Sequence, residues 1–130
     1  DGVNQMVLGR PTGSGMNGVC QAQLVIEADG SAYPCGFYCL DEYRMGNITS
    51  ERVSELLASD GAKAFLARPH QMPRLCKDCR YARFCGGNCK RMQKEICCSA
   101  DGNVCGYRDF LDACGGTLAQ LAENVRRRMR

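Results

Sequence analysis

The sequence predicts a small α+β fold stabilised by bound metal or cluster rather than by a large apolar core. Three observations carry that reading. Eleven of the 130 residues are cysteine, and most fall in short-spaced groups. A β-rich pair of runs flanks Asp29-Gly30. The helical patterns are short, and helices of that length are marginal without a partner. The expected elements are an N-terminal β-hairpin, a cysteine-rich loop, several short helices and a C-terminal helix.

Residues 1–19 contain Gly9, Gly13, Gly15 and Gly18 and read as an irregular segment. Leu24 to Ala28 reads as a strand, Asp29-Gly30 as a two-residue turn, and Ser31 to Tyr33 as the returning strand, which Pro34 ends. Cys20 and Cys35 stand at the two bases of this hairpin, so pairing brings them together. Thr49 or Ser50 is the expected cap of a helix carrying Val53, Leu56 and Leu57 on one side. Asp60-Gly61 interrupts it, and Ala62 to Ala67 forms a second short helix. Cys89 to Ile96 is expected to leave the cysteine loop as a helix. Tyr107 to Cys114 forms another, Gly115-Gly116 breaks it, and Leu118, Leu121, Val125 and Met129 mark a final helix.

The net charge is +3, with Arg126, Arg127, Arg128 and Arg130 at the end. Cations at a helix C-terminus offset its dipole and stay solvated, so no nucleic-acid partner is implied. No apolar run reaches the about 20 residues a membrane helix needs. The first ten residues lack the apolar stretch of a signal peptide, and the expected location is cytoplasmic. Position 1 is Asp1, and the chain reads as a piece of a longer protein.

Cys76, Cys79, Cys85 and Cys89 are spaced C-x2-C-x5-C-x3-C. An odd cysteine count and such short spacings suit metal better than a secreted disulfide framework. Four soft thiolates hold either zinc or an iron–sulfur cluster. They can serve one centre or be divided between two. Gly86 and Gly87 allow the backbone to approach and donate N–H bonds to sulfur.

The full pattern is Cys20, Gly30 and Cys35 in C-x9-G-x4-C, then the four-cysteine loop, then Cys105. It resembles the SPASM domain, the auxiliary-cluster module of peptide-modifying radical S-adenosylmethionine enzymes. The words Q-L-V-I-E-A-D-G-S-A-Y-P-C, L-D-E-Y-R-M-G-N-I and C-G-G-N-C-K-R are similar to those of anaerobic sulfatase-maturating enzymes. The resemblance runs from about Ser14 to Phe110. It implies two [4Fe-4S] clusters, the first on Cys20, Cys35 and Cys89, the second on Cys76, Cys79, Cys85 and Cys105. It also implies a domain over 20–114, between the N-terminal segment over 1–19 and a basic C-terminal helix over 115–130. The implied partners are an upstream radical S-adenosylmethionine barrel and a peptide or protein substrate. The domain's implied service is electron transfer and substrate binding.

Three departures stand out. The family places a further cysteine where this chain has Ser14, and Cys39 is a candidate substitute ligand. The maturases carry an aspartate, their proposed base, directly after the Y-P-C cysteine, and here that residue is Gly36. The C-x3-C-x2-C motif that binds S-adenosylmethionine is incomplete, with Glu42 and Met92 at the two positions that would finish it. Catalysis by this stretch alone is therefore not expected.

Asp41, Glu42 and Tyr43 are candidates for substrate contact, against the plainer reading of an exposed charged turn. Tyr81, Arg83 and Phe84 are expected to shield a cluster. Cys97 and Cys98 read as loop thiols, Cys114 as a small buried hydrophobe and His70 as a surface residue. Two further functions fit the same thiols: a structural zinc module without redox role, and a ferredoxin-like carrier. Zinc also enters such sites in protein prepared in air.

Overall fold

The computed structural model describes residues 2–10, 12, 13, 15–92, 99 and 101–129. It divides into two compact units. One takes residues 20–70; the other takes the residues before 20 together with those after 70.

In the unit of residues 20–70, β1 (Val25–Ile26), β2 (Ser31–Tyr33) and β3 (Gly46–Asn47) form an antiparallel sheet in that order. Val25 pairs with Tyr33 and Ile26 with Ala32 across the expected hairpin. Asp29 builds the turn: its carboxylate accepts from the Ser31 N–H and hydroxyl, both at 2.9 Å. Gly30 has φ of 83°, and an added Cβ would come 2.7 Å from the Asn47 side-chain oxygen.

The third strand carries no sequence signal. It is two residues long, Gly and Asn, with no alternation. Main-chain and Asn47 bonds make it. Met45 N donates to Ala32 O at 2.8 Å, and Ile48 N to Gly30 O at 2.9 Å. Asn47 Nδ2 donates to Asp29 O at 3.0 Å. The Thr49 hydroxyl is drawn to Asn47 Oδ1 at 2.6 Å, so neither it nor Ser50 caps the next helix. Arg52 takes the cap position of α2 (Val53–Ala58), with Glu55 accepting from its N–H at 2.8 Å.

Ser59 caps α3 (Asp60–Ala67), its hydroxyl accepting from Ala62 N at 3.2 Å. Asp60 and Gly61 begin this helix rather than interrupting one. Gly61 is required because the Arg44 carbonyl oxygen lies 2.2 Å from where its Cβ would stand. Ala32, Met45, Leu56 and Ala62 form one buried cluster; Tyr38, Tyr43 and Phe65 form a second. Of the expected α2 stripe only Leu56 is buried, and Val53 and Leu57 face solvent.

The other unit opens with α1 (Gly2–Leu8), where the sequence suggested an irregular stretch. Seven residues are too few to hold a helix by propensity. Tertiary contact holds it: the Arg126 guanidinium donates to the Met6 and Val7 carbonyls, which end a helix without partners of their own. A 3₁₀ turn follows at Arg74–Cys76, then α4 (Ala82–Cys85) and α5 (Lys90–Met92). The expected continuation to Ile96 lies outside the described residues.

The last helix, α6 (Gly106–Arg128), runs 23 residues without the expected break at Gly115-Gly116. Neither glycine leaves the right-handed region, and the long helix absorbs a cost of about 1 kcal/mol for each. Its buried face carries Leu111 and Ala122, with Leu118 and Val125 half-buried; Leu121 and Met129 point outward, contrary to the expected stripe.

Two alanine substitutions should separate these glycines. Nothing lies within 4 Å of an added Cβ at Gly116, so Gly116→Ala should stabilise by about 0.5–1 kcal/mol. Gly61→Ala should destabilise by more than that, despite the same gain in propensity. Urea unfolding followed by circular dichroism checks both.

Candidate metal centre

In the unit holding residues 71–130, the cysteine loop is a chain of tight turns. Cys76 is buried at the end of the 3₁₀ turn, and its carbonyl accepts from Cys79 N at 3.4 Å. The Cys79 carbonyl accepts from Ala82 N at 3.0 Å, which starts α4. Cys85 ends α4. Gly86 then caps it in the left-handed region, with φ of 54°.

Gly87 and Asn88 continue with positive φ, at 81° and 64°. The Asn88 N–H donates to the Cys85 carbonyl at 2.7 Å and closes the turn. Burial pushes the Cys85 thiol above its ordinary pKa, the backbone of Gly87 and Asn88 pulls the other way, and neighbouring Cys79 and Cys105 push it further. Cys85 therefore shares its surroundings with both. Cys105 reaches the group from the cap position of α6. A metal centre bound here would favour the thiolate form that burial opposes.

Asn88 is 3% exposed and accepts from Cys89 N at 2.7 Å. The sequence reading passed over it, although a non-glycine residue after Gly-Gly in a tight turn is a signal for positive φ. Cys89 is buried, and Gly15 is packed against it: an added Cβ would lie 3.4 Å from Cys89 Cβ. Among the described residues, no three Cys, His, Asp or Glu side chains close to the spacing of a single ion. A four-iron cube holds its thiolates farther apart than one ion does.

Tyr81 and Phe84 are half-buried beside this loop and line a cleft of about 520 Å³ with Met6 and Leu111. Arg80 lies 4.9 Å over the Tyr81 ring and pairs with Asp112, Nε to Oδ1 at 3.1 Å. That pairing holds the Asp112 carboxyl below its usual range. Burial, then Asp112, raises the Tyr81 phenol. Arg83 is exposed and shields nothing, a correction to the expectation.

In the unit of residues 20–70, the hairpin base is closed by Gln23 N donating to Pro34 O at 2.7 Å. Cys20 and Cys35 both pack against the buried Tyr38, Tyr43 and Phe65. These rings meet edge to face, with centroids 5.4 to 6.2 Å apart. Both thiols of the hairpin thus lie against one aromatic cluster.

The remaining candidates divide. Cys39 directs its sulfur at the Cys35 and Gly36 carbonyls, at 3.7 and 3.8 Å. Burial, then Glu27, raises its pKa. Asp41 and Glu42 are exposed on a 3₁₀ turn. Tyr43 is buried and donates no surface to a peptide, which corrects its placement as a substrate contact. Gly36 faces open space. His70 and Cys114 are half-buried. Ser14, Cys97 and Cys98 lie outside the described residues.

Residues 19–80 match the sequence model of SPASM, an iron–sulfur cluster-binding domain. Over that stretch the chain carries a SPASM domain. It is 35% identical over 124 residues to a cysteine-type anaerobic sulfatase-maturating enzyme of Clostridium perfringens, across 93% of this chain and 34% of the relative. A cysteine-type enzyme of Clostridium novyi is 40% identical over 92 residues, 70% of this chain and 25% of that one. A serine-type enzyme of Bacteroides thetaiotaomicron is 32% identical over 68 residues, 52% and 16%.

The solved structure of native anSMEcpe with bound AdoMet and Kp18Cys peptide superposes with a TM-score of 0.76 at 32% identity, over 95% of this chain and 35% of that one. The chain thus spans about a third of the length of the relatives it matches. The SPASM fold accounts for the three-stranded sheet, the short helices and the C-terminal helix together. Among the described residues, no helix is long and apolar enough to cross a membrane.

The Cys39 environment gives a pH test. Its raised pKa leaves it protonated at pH 8, so iodoacetamide should label it more slowly than an ordinary thiol. The labelling rate should reach half its maximum above pH 9.0, the ordinary value. Mass spectrometry of protein labelled across pH 7 to 10.5 reads it; a midpoint below 9.0 would contradict the geometry.

Proposed function

We propose that this chain is the auxiliary-cluster part of a peptide- or protein-modifying radical S-adenosylmethionine enzyme of the sulfatase-maturase kind. One observation carries the reading. The run of tight turns from Cys76 to Cys89 and the cap position of α6 bring Cys79 and Cys105 close to the half-buried Cys85. Several thiolates gathered in this way are a donor set that holds a cluster.

The proposed ligands of one [4Fe-4S] cluster are Cys76, Cys79, Cys85 and Cys105. For the other they are Cys20, Cys35 and Cys89, the last carried over from the family pattern. Cys39 is left out because its sulfur is turned to the Cys35 and Gly36 carbonyls. The clusters, when bound, supply one-electron transfer. The chain's own residues do the rest. The Asn88 N–H fixes the turn at Cys85 through its carbonyl. Tyr38, Tyr43 and Phe65 keep water from the Cys20 and Cys35 side. Asp41 and Glu42 offer exposed carboxylates to a peptide.

S-adenosylmethionine is assigned to a barrel domain elsewhere in the protein, and the reducing compartment such thiols need is the cytoplasm. A solved relative carries both AdoMet and a peptide, which supports the assignment of a peptide substrate.

Anaerobically prepared protein should hold about eight irons and eight sulfides, the content of two [4Fe-4S] clusters. Cys85→Ser should remove about four of each. Stoichiometric zinc without sulfide in such protein would replace this reading with a structural module.

The base is a separate question. Gly36 stands where the maturases have aspartate, and an added side chain meets nothing within 4 Å. In the full-length protein, Gly36→Asp should raise oxidation of a sulfatase-type peptide about a hundredfold, the usual worth of a placed base. A wild-type protein already as fast as the variant would mean that another group takes the proton.

A further inference from the structure

Arg68 is the C-terminal cap residue of α3, its N–H donating to Ala64 O at 3.1 Å and Phe65 O at 3.3 Å. That cap fixes where its side chain starts. The guanidinium then lies 5.2 Å over the Tyr38 ring and donates from Nη1 to the Tyr43 hydroxyl at 2.7 Å. One exposed cation thereby grips two buried rings, from the loop after Cys35 and from the 3₁₀ turn.

The two rings are the ones that face Cys20 and Cys35. Tyr38 is tied to Cys35 directly, its N–H donating to the Cys35 carbonyl at 2.9 Å. Tyr38 and Tyr43 are 3% and 7% exposed. The residue itself lies outside every element of regular structure. Its ring meets those of Tyr43 and Phe65 edge to face, with the Arg68 guanidinium over it.

We infer that Arg68 is a positioning residue for the cluster site at Cys20 and Cys35. It latches the aromatic wall shut and so limits the access of water and small solutes to those two sulfurs. The inference rests on the assignment of Cys20 and Cys35 as cluster ligands.

The test uses cluster-loaded protein under anaerobic conditions. Two quantities are read: the rate at which the chelator bathophenanthroline withdraws iron, and the deuterium coupling seen by pulsed electron paramagnetic resonance in D2O after reduction with dithionite. Cys20→Ser sets the reference and identifies which iron belongs to this site. If Cys20→Ser leaves iron content and spectrum unchanged, the ligand assignment itself is wrong.

With the assignment in place, Arg68→Met should speed iron release from this site about fivefold, as loss of a cation–π contact allows. It should also strengthen the deuterium coupling, and leave release from the Cys85 site alone. Tyr43→Phe removes one hydroxyl and keeps the ring, so it should act in the same direction without disturbing the fold. Arg68→Lys restores a cation over Tyr38 and should return the rate to within about twofold. Unchanged release and coupling in Arg68→Met and Tyr43→Phe, with full iron content, would overturn the inference.

Discussion

Gathering thiolates is unfavourable, and this fold gathers them. Cys85 is half-buried with Cys79 and Cys105 as neighbours, and each negative sulfur raises the cost of the next. The backbone of Gly87 and Asn88 offsets part of that cost. The rest falls to a positively charged centre, whose binding free energy then becomes folding free energy. The apolar clusters are small, four residues in one and three in the other among the described residues. So small a core is the kind that a bound centre reinforces.

That dependence explains what could be read from the sequence. The hairpin was legible because Asp29-Gly30 states a turn and the strands on either side state its arms. The cysteine spacing was legible because ligand geometry is local. Positions 76, 79, 85 and 89 sit in one run of turns, and their order in the chain is nearly their order in space. The short helices after Arg52 were legible in number, though not in their caps.

What escaped was set by distant partners. β3 exists because Asn47 bonds to Asp29, Thr49 and Glu51, which no local pattern announces. Gly115-Gly116 reads as a break by propensity, yet the surrounding turns of α6 continue across it. α1 forms because Arg126 closes its end from the far side of the sequence. Tyr43 looked like part of an exposed charged turn. Two of that turn's three residues are indeed exposed, and the third is core. Gly36 was legible as a loss, and the structure adds that the place is empty rather than refilled by a neighbour.

Gly86 carries one more consequence. The Asn17 carbonyl oxygen sits 1.8 Å from where a Cβ on Gly86 would be, a space that opens only once this residue has turned left-handed to end α4. Any side chain here would push the Asn17 carbonyl away from the end of α4. The segment around Gly15 to Val19 and the cysteine loop therefore meet main chain to main chain, at a distance that only the absence of a methyl group permits.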